Sequence, residues 1–397
     1  MLPSLLYYDE VMELDRRSIF SQPDQTFLAF ARKISGLLTL MLVLCACNVI
    51  QDNSQLPPIL YLGWDENERN QVYRQNHGEE PAQITRVEDG VLDFAVSPDG
   101  RTLVYTTLVD DGNSEIWKID ATGHDSRLIL TCNQAECSQP VWAPDNRRLV
   151  YEKRNIGDDG IPGSPYLYWL DPETGETRTV LENSEVRGTA LRFSPDGQWL
   201  GYVSPEKEGA VIYNLQDGRS HFVANEIGVP VAWSPNSSQI IVPNLDLVII
   251  HGDEGDDHLN HTHNYETATH LFDFDVASGE SVSISGDLKV EDSVPAWSPN
   301  GDWIAFGRRF PGTSAGRQLW LMRPDGSEAY ALTSDFDFTY GLPLWSPDGR
   351  YLLFQRFPID KPDGEPGIWL FDIENGQESE LVAVGMQPAW LVEATRN

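Results

Sequence analysis

Short apolar runs, each broken by a tight polar turn, fill this chain from about residue 58 to residue 392. One turn signal recurs: "VSPDGRTLVY", "WAPDNRRLVY", "FSPDGQWLGY", "WSPNSSQIIV", "WSPNGDWIAF" and "WSPDGRYLLF". In Ser-Pro-Asp-Gly the serine hydroxyl accepts from a backbone N–H and proline presets φ. Aspartate tolerates the bridge region, and glycine supplies the left-handed residue that ends the turn. A bulky residue precedes each turn, namely Val96, Trp142, Phe193, Trp233, Trp297 and Trp345. A strand-like run follows each, so every unit predicts a β-hairpin. A second hairpin comes later in each unit, as in "EIWKIDATGHDSRLIL", "AVIYNLQDGRSHFV" and "LWLMRPDGSEAYAL".

Each repeat therefore predicts four antiparallel strands, at a spacing that matches propeller blades. One such sheet cannot cover both of its faces, so neighbouring repeats must bury them. At the C-terminal end "GMQPAWLV" has the innermost-strand pattern, with Trp390 in the bulky position, but no turn after it. "PPILYLGWDENERNQVYRQNHGEEPAQITR" supplies three strand-like runs with no innermost strand before them. The two ends together predict a further blade, which leaves no open sheet edge. The expectation is an all-β fold, a β-propeller of seven four-stranded blades closed by N- and C-terminal strands, with six or eight as the alternatives. It spans residues 58–392, with a tail at 393–397.

The N-terminal pattern is different. Residues 1–33 form an extension ending in Arg32 and Lys33, and residues 34–47 form an apolar run ending in small residues, "LCAC". A charged, apolar, small-residue order is that of a secretory signal, and the run is short for a membrane-spanning helix. "LCAC" resembles the lipobox of bacterial lipoproteins, with Cys45 standing where Ala or Ser is usual. The resemblance implies that Cys47 is the lipid attachment site and the mature N-terminus, after which residues 48–57 form a tether. An uncleaved anchor or a plain cleaved signal is the alternative. Export makes Cys132 and Cys137, which flank "NQAE", an expected disulfide.

Composition adds two constraints. Apolar residues make up 40% of the 397, with 12 Trp, 14 Tyr and 15 Phe, enough for a substantial core. Sixty-one acidic residues against 28 basic give a net charge of −33, which repels phosphate backbones and excludes nucleic acid as the expected partner.

The "WSPDG" unit followed by "LWLMRPDGSEAYALT" resembles the TolB-type β-propeller repeat over about residues 58–392. That repeat also occurs in propeller domains of prolyl-oligopeptidase-like peptidases and in oligogalacturonate lyases, so the resemblance implies a fold more than an activity. Asn146 and Ser237 replace the turn glycine. Asparagine suits the left-handed region, whereas serine suits it less, so the hinge at Ser237 is expected to differ.

Strand alternation places the irregular loops on one side of the ring, where binding usually resides. The fourth repeat carries an insertion, "HGDEGDDHLNHTHNYETATH", with His251, His258, His261, His263 and His270. Imidazoles so clustered are candidate ligands for zinc or a similar divalent metal, although a solvated loop with incidental histidines fits the same letters. "GTSAG" at residues 312–316 matches a nucleophile pattern by letter, but it lies between two strands rather than before a helix. No catalytic residue is assigned, and no resident cofactor is expected beyond that divalent metal. Asp335, Phe336, Asp337, Phe338 and Tyr340 are candidate partner contacts. The reading is a non-enzymatic, lipid-anchored module of the bacterial cell envelope. It would be a monomer that touches the membrane through its lipid alone and binds a protein, peptide or glycan. The alternative is a metal-dependent polysaccharide lyase or hydrolase using the His-rich insertion.

Overall fold

The computed structural model describes residues 56–109, 112–181, 185–250, 264–286, 288–361 and 364–392. Residues 1–55 lie outside the described residues, and with them Cys47, the signal-like segment and most of the tether. Repeat 1 comprises the strands Asp93–Val96, Thr102–Val109, Asn113–Asp120 and Arg127–Cys132. Repeat 2 comprises Ala135–Trp142, Leu149–Asn155, Tyr166–Leu170 and Thr177–Thr179, and repeat 3 comprises Thr189–Phe193, Trp199–Ser204, Gly209–Asn214 and Ser220–Ala224. Repeat 4 contains Ala232–Trp233, Gln239–Ile250, Asn264–Asp275 and Ser281–Ser283. Repeat 5 contains Glu291–Trp297, Ile304–Arg309, Gln318–Met322 and Tyr330–Ala331. Repeat 6 contains Phe338–Trp345, Tyr351–Pro358, Gly367–Asp372 and Gln377–Val382. A closing sheet runs in the order Met386–Trp390, Ile59–Trp64, Asn70–Gln75, Ala82–Gln83, with Ile59 opposite Trp390 and Leu60 opposite Ala389.

The hydrogen bonding corrects the expected seven separate four-stranded blades. Five blades have four strands each, namely repeats 1, 2, 3 and 6 and the closing sheet, whereas repeats 4 and 5 share one eight-stranded sheet. The cause is strand length. The central hairpin of repeat 4 has two 12-residue strands, longer than any other described strand. Its overhang meets the chain entering repeat 5: Thr269 stands parallel to Glu291, and its N–H donates to Val290 O at 2.9 Å.

The recurring turn is built by its side chains. Ser97, Ser194, Ser234, Ser298 and Ser346 each accept at Oγ from the N–H five residues on, at 2.9–3.0 Å. Each also donates to the Asp or Asn two residues on, as Ser97 does to Asp99 at 2.7 Å. The hinge at Ser237 does not differ. Ser237 takes φ 62°, close to Gly197 at 69°, and its Oγ accepts from the Asp196 N–H of the preceding turn at 3.1 Å. That bond to a neighbour offsets the left-handed strain of a residue with a Cβ.

Sheet faces pack on one another through apolar clusters. Leu167, Trp169 and Val150 of repeat 2 meet Leu200, Tyr202 and Val211 of repeat 3. Where the bulky residue of the innermost strand is a tryptophan, it adds a bond at four positions. The indole N–H donates to a carbonyl in the innermost strand of the preceding repeat: Trp142 to Ala95, Trp233 to Arg192, Trp345 to Ala296 and Trp390 to Leu344, at 3.1–3.4 Å. Trp297 departs from the pattern, because its Nε1 is buried without a partner. It stands at the junction where repeats 4 and 5 share a sheet.

This contrast predicts unequal costs for one substitution. Trp345→Phe loses a hydrogen bond as well as ring area, whereas Trp297→Phe loses ring area and removes an unsatisfied donor. Chemical denaturation is expected to show Trp345→Phe less stable than Trp297→Phe by about 1 kcal/mol or more. Equal losses would mean that the indole bonds do not hold the ring.

Candidate functional site

The innermost strands of repeats 3 to 6 line a common cavity, and local irregularity in the innermost strands shapes what faces it. Gln139, Ala190, Val294, Leu342 and Gln387 all have positive φ, between 46° and 54°, and all but Ala190 precede a proline. Pairing slips at each of the first four, as between Ser138 and Val141 or between Gly341 and Leu344. Each is a bulge that bends the strand and re-aims the next side chains. Buried carboxylates hold two of these bulges from the neighbouring repeat. Asp93 Oδ2 accepts from the Gln139 N–H at 2.7 Å, and Glu152 Oε1 accepts from the Ala190 N–H at 3.1 Å and from the Thr189 hydroxyl at 2.6 Å. A third, fully buried Asp292, takes a two-pronged bond from Arg308 with both contacts at 2.7 Å, and a bond from Ser285 of repeat 4. Sequence reasoning missed this set. Charged letters inside apolar strand patterns, as in "LDFAV" and "EDSVPAW", were the available signal.

Between the innermost strands of repeats 3 to 6 lies a cavity of about 330 Å³. Its walls are mostly apolar, including Pro230, Val231, Pro295, Leu342, Pro343 and Leu344, and Arg192 is the one charged residue among them. Leu342 and Leu344 are exposed despite their type. Arg192 keeps exposed surface as a residue, but the protein atoms packed around its guanidinium desolvate it and push its pKa down, while Glu152 opposes the shift. Nη1 donates to Leu191 O at 2.7 Å. A cation in apolar walls, bonded among the described residues to its neighbour's carbonyl alone, attracts an anionic group whose remaining body is apolar.

On the loop face, the candidate contacts divide. Tyr340 is fully buried in the core of repeats 5 and 6, so it offers a partner no surface. Arg356 holds two of the others, Phe338 and Asp335. Its guanidinium lies 3.7 Å from the Phe338 ring centroid and 4.5 Å from that of Trp369, and it bonds Asp335 at 2.6 Å. Phe336 is 58% exposed, and Asp337 is exposed beside it. Phe310, Phe357 and Ile359 are further exposed apolar side chains of repeats 5 and 6. Gly316, the last letter of "GTSAG", is a packing residue: a Cβ there would stand 2.0 Å from Phe338 O and 2.7 Å from Ile359 Cδ1. Its N–H donates to Phe336 O at 3.1 Å.

Cys132 and Cys137 form a disulfide, linking the end of repeat 1 to the start of repeat 2. His251, His258, His261 and His263 lie outside the described residues. His270 is 2% exposed, with Nδ1 2.9 Å from Asp246 Oδ2 and Nε2 2.7 Å from Leu288 O. Each ring nitrogen is turned onto an oxygen of the fold, so the imidazole is held by protein contacts at both ends in this arrangement. Among the described residues no group of three or more His, Cys, Asp or Glu is placed to hold a metal.

No family model matches the chain. An uncharacterized protein of Agrobacterium fabrum is 27% identical over 221 residues, covering 55% of this chain and 70% of that one. The Tol-Pal system protein TolB of Alcanivorax borkumensis is 38% identical over 81 residues, 20% of this chain and 17% of that protein. The uncharacterized peptidase YuxL of Bacillus subtilis is 25% identical over 194 residues, 43% of this chain and 29% of that one. The chain thus spans less than a third of either named relative. Among solved structures, a puromycin hydrolase mutant aligns with a TM-score of 0.56 at 15% identity, over 84% of this chain and 53% of that one. Together these place the chain among propellers and show a TolB-like repeat.

Two outcomes test the site's framework. Burial raises the Asp93 carboxyl to about 6, against hydrogen bonds from Gln139 and Thr106 that lower it. A folded pKa above the unfolded value means that the folded state binds more protons, so stability falls as pH rises from about 4 to 6. Thermal melts should therefore show the advantage of wild type over Asp93→Asn shrinking across that window, by on the order of 3 kcal/mol; an advantage that stays constant rejects the assignment. Gly316→Ala should cost about 1–3 kcal/mol by forcing backbone apart, and an unchanged melt would show that the loops of repeats 5 and 6 are not clamped there.

Proposed function

We propose that this chain is a binding module of the bacterial cell envelope, a TolB-like propeller that receives a peptide or protein segment at its axis and loop face. The observation that carries the reading is the apolar channel with Arg192 as its one charged wall residue. An extended segment with apolar side chains and a carboxylate, either an acidic side chain or a free C-terminus, matches that wall in shape and sign. Exposed Phe336, Phe310, Phe357 and Ile359 supply further apolar contact on the loop face. The envelope location rests on the signal-like residues 34–47, on the Cys132–Cys137 disulfide and on the TolB-like stretch. Attachment through lipid at Cys47 belongs to the same proposal.

A second reading has one observation behind it, the stretch shared with the YuxL peptidase. There the propeller would admit peptide substrates to a peptidase activity.

Full-length protein titrated with apolar hexapeptides, each with a free or an amidated C-terminus and with or without one internal Glu, separates these readings. The binding reading expects intact peptide, tighter binding of the anionic forms, and a ten-fold or greater loss in Arg192→Gln, the scale of a hydrogen bond to a charged group. Peptide cleavage would favour the peptidase reading. Binding indifferent to both charge and Arg192 would remove the channel from the proposal.

A further inference from the structure

The junctions between repeats 1 and 2 and between repeats 2 and 3 share one frame, with Trp169 in the place of Lys118, Asn214 in that of Asp171 and Gln216 in that of Glu173. At the first, Lys118 and Arg127 stand opposite each other on paired strands. Glu173, from the turn after the third strand of repeat 2, bonds both, with its contact to Arg127 Nη2 at 2.6 Å. Those bonds, that from Lys118 foremost, hold the Glu173 carboxyl below its usual range. At the second junction Trp169 and Arg178 occupy the paired positions. The turn reaching toward them from repeat 3 has the same frame. Asn214 caps it as Asp171 caps the other, and Gly218 N–H donates to Asn214 O as Gly175 N–H donates to Asp171 O. The residue in the place of Glu173 is Gln216. The acid is missing.

A cavity of about 770 Å³ opens at this second junction. Arg148 and Arg178 line it with Thr179, Tyr213, Gln216 and Leu215, and no carboxylate is among the lining residues. Arg178 makes no ion pair with a described residue. Arg148 lies over Trp169, 4.1 Å from the ring centroid, and its Nε forms no hydrogen bond, with Asp145 at 3.5 Å. Two guanidinium groups thus line a concave site on a chain of net charge −33, where acidic residues outnumber basic ones by two to one. The volume suits a small organic molecule, and the hydroxyls of Thr179 and Tyr213 beside apolar Leu215 suit a polyhydroxylated ring.

We propose that this crevice binds a small sugar-like molecule carrying an oxyanion, carboxylate or phosphate, which takes the place that Glu173 fills at the preceding junction. Arg178 contacts the anion, and Arg148, fixed by Trp169, forms the second prong. The site is separate from the channel, since neither arginine lines it.

Calorimetric titration of the full-length protein with glucuronate, glucose 6-phosphate and glucose tests this. Binding of either anion but not of glucose is expected, and the anion that binds identifies the oxyanion class. Gln216→Glu restores the internal acid and should weaken that binding ten-fold or more while leaving the melting temperature equal or higher. The double variant Arg148→Gln, Arg178→Gln should weaken it similarly. No binding of either anion to wild type at millimolar concentration overturns the proposal, as does binding that Gln216→Glu leaves unchanged.

Discussion

A ring of sheets depends on one constraint: each sheet is apolar on both faces, and only its two neighbours can cover them. The structure meets this constraint with more than apolar contact. Indole N–H groups of Trp142, Trp233, Trp345 and Trp390 each reach a carbonyl of the preceding repeat. Carboxylates of Asp93 and Glu152 reach bulge amides of the following repeat. The turn side chains Ser237 and Asn146 accept from the aspartate amides of the preceding turns, at 3.1 and 3.4 Å. Directional bonds fix how far each sheet rotates against the next, which apolar packing alone leaves adjustable. Closure by Met386–Trp390 against Ile59–Trp64 works only if those rotations sum to a circle.

Much of this was legible. The Ser-Pro-Asp-Gly units mark the hairpins because each letter has a conformational task, and "GMQPAW" marks the closing strand because it keeps the innermost pattern without a turn. What was not legible depends on register between segments distant in sequence. Nothing in the letters of repeat 4 says that its hairpin strands run to 12 residues and reach Val290. Ser237 looked ill-suited to its turn because its partner, the Asp196 N–H, lies 41 residues away. Tyr340 was read as a loop residue because "SDFDFTYG" is rich in polar letters. The strand starts at Phe338, and the two-residue period then buries Tyr340. Arg192, Arg148 and Arg178 were invisible as site residues, since an arginine in a strand pattern says nothing about which cavity its sheet will face.

Departures from the repeat carry more information than the repeat itself. Trp297 keeps the indole but lacks the acceptor, and the junction it marks is bonded through Thr269 to Val290 and through His270 to Leu288 instead. Gln216 keeps the turn but lacks the acid, and the junction it marks is open. There Trp169 with Arg148 over it stands where Lys118 meets Glu173 at the first junction, and Arg178 faces a cavity with no carboxylate in its lining.

The same reasoning bears on the channel. A propeller axis walled by proline and leucine could have been closed by larger side chains, as the sheet interfaces are. Bulges at Ala190, Val294 and Leu342 instead hold the innermost strands in a left-handed step that costs energy in residues bearing a Cβ, most of all in β-branched Val294. The buried carboxylate of Glu152 that secures the Ala190 bulge also supplies the charge facing Arg192. Strain and buried charge are thus both invested at the wall of one cavity. Among the described residues no carboxylate is hydrogen-bonded to that guanidinium, which leaves it placed to meet an anion in the cavity.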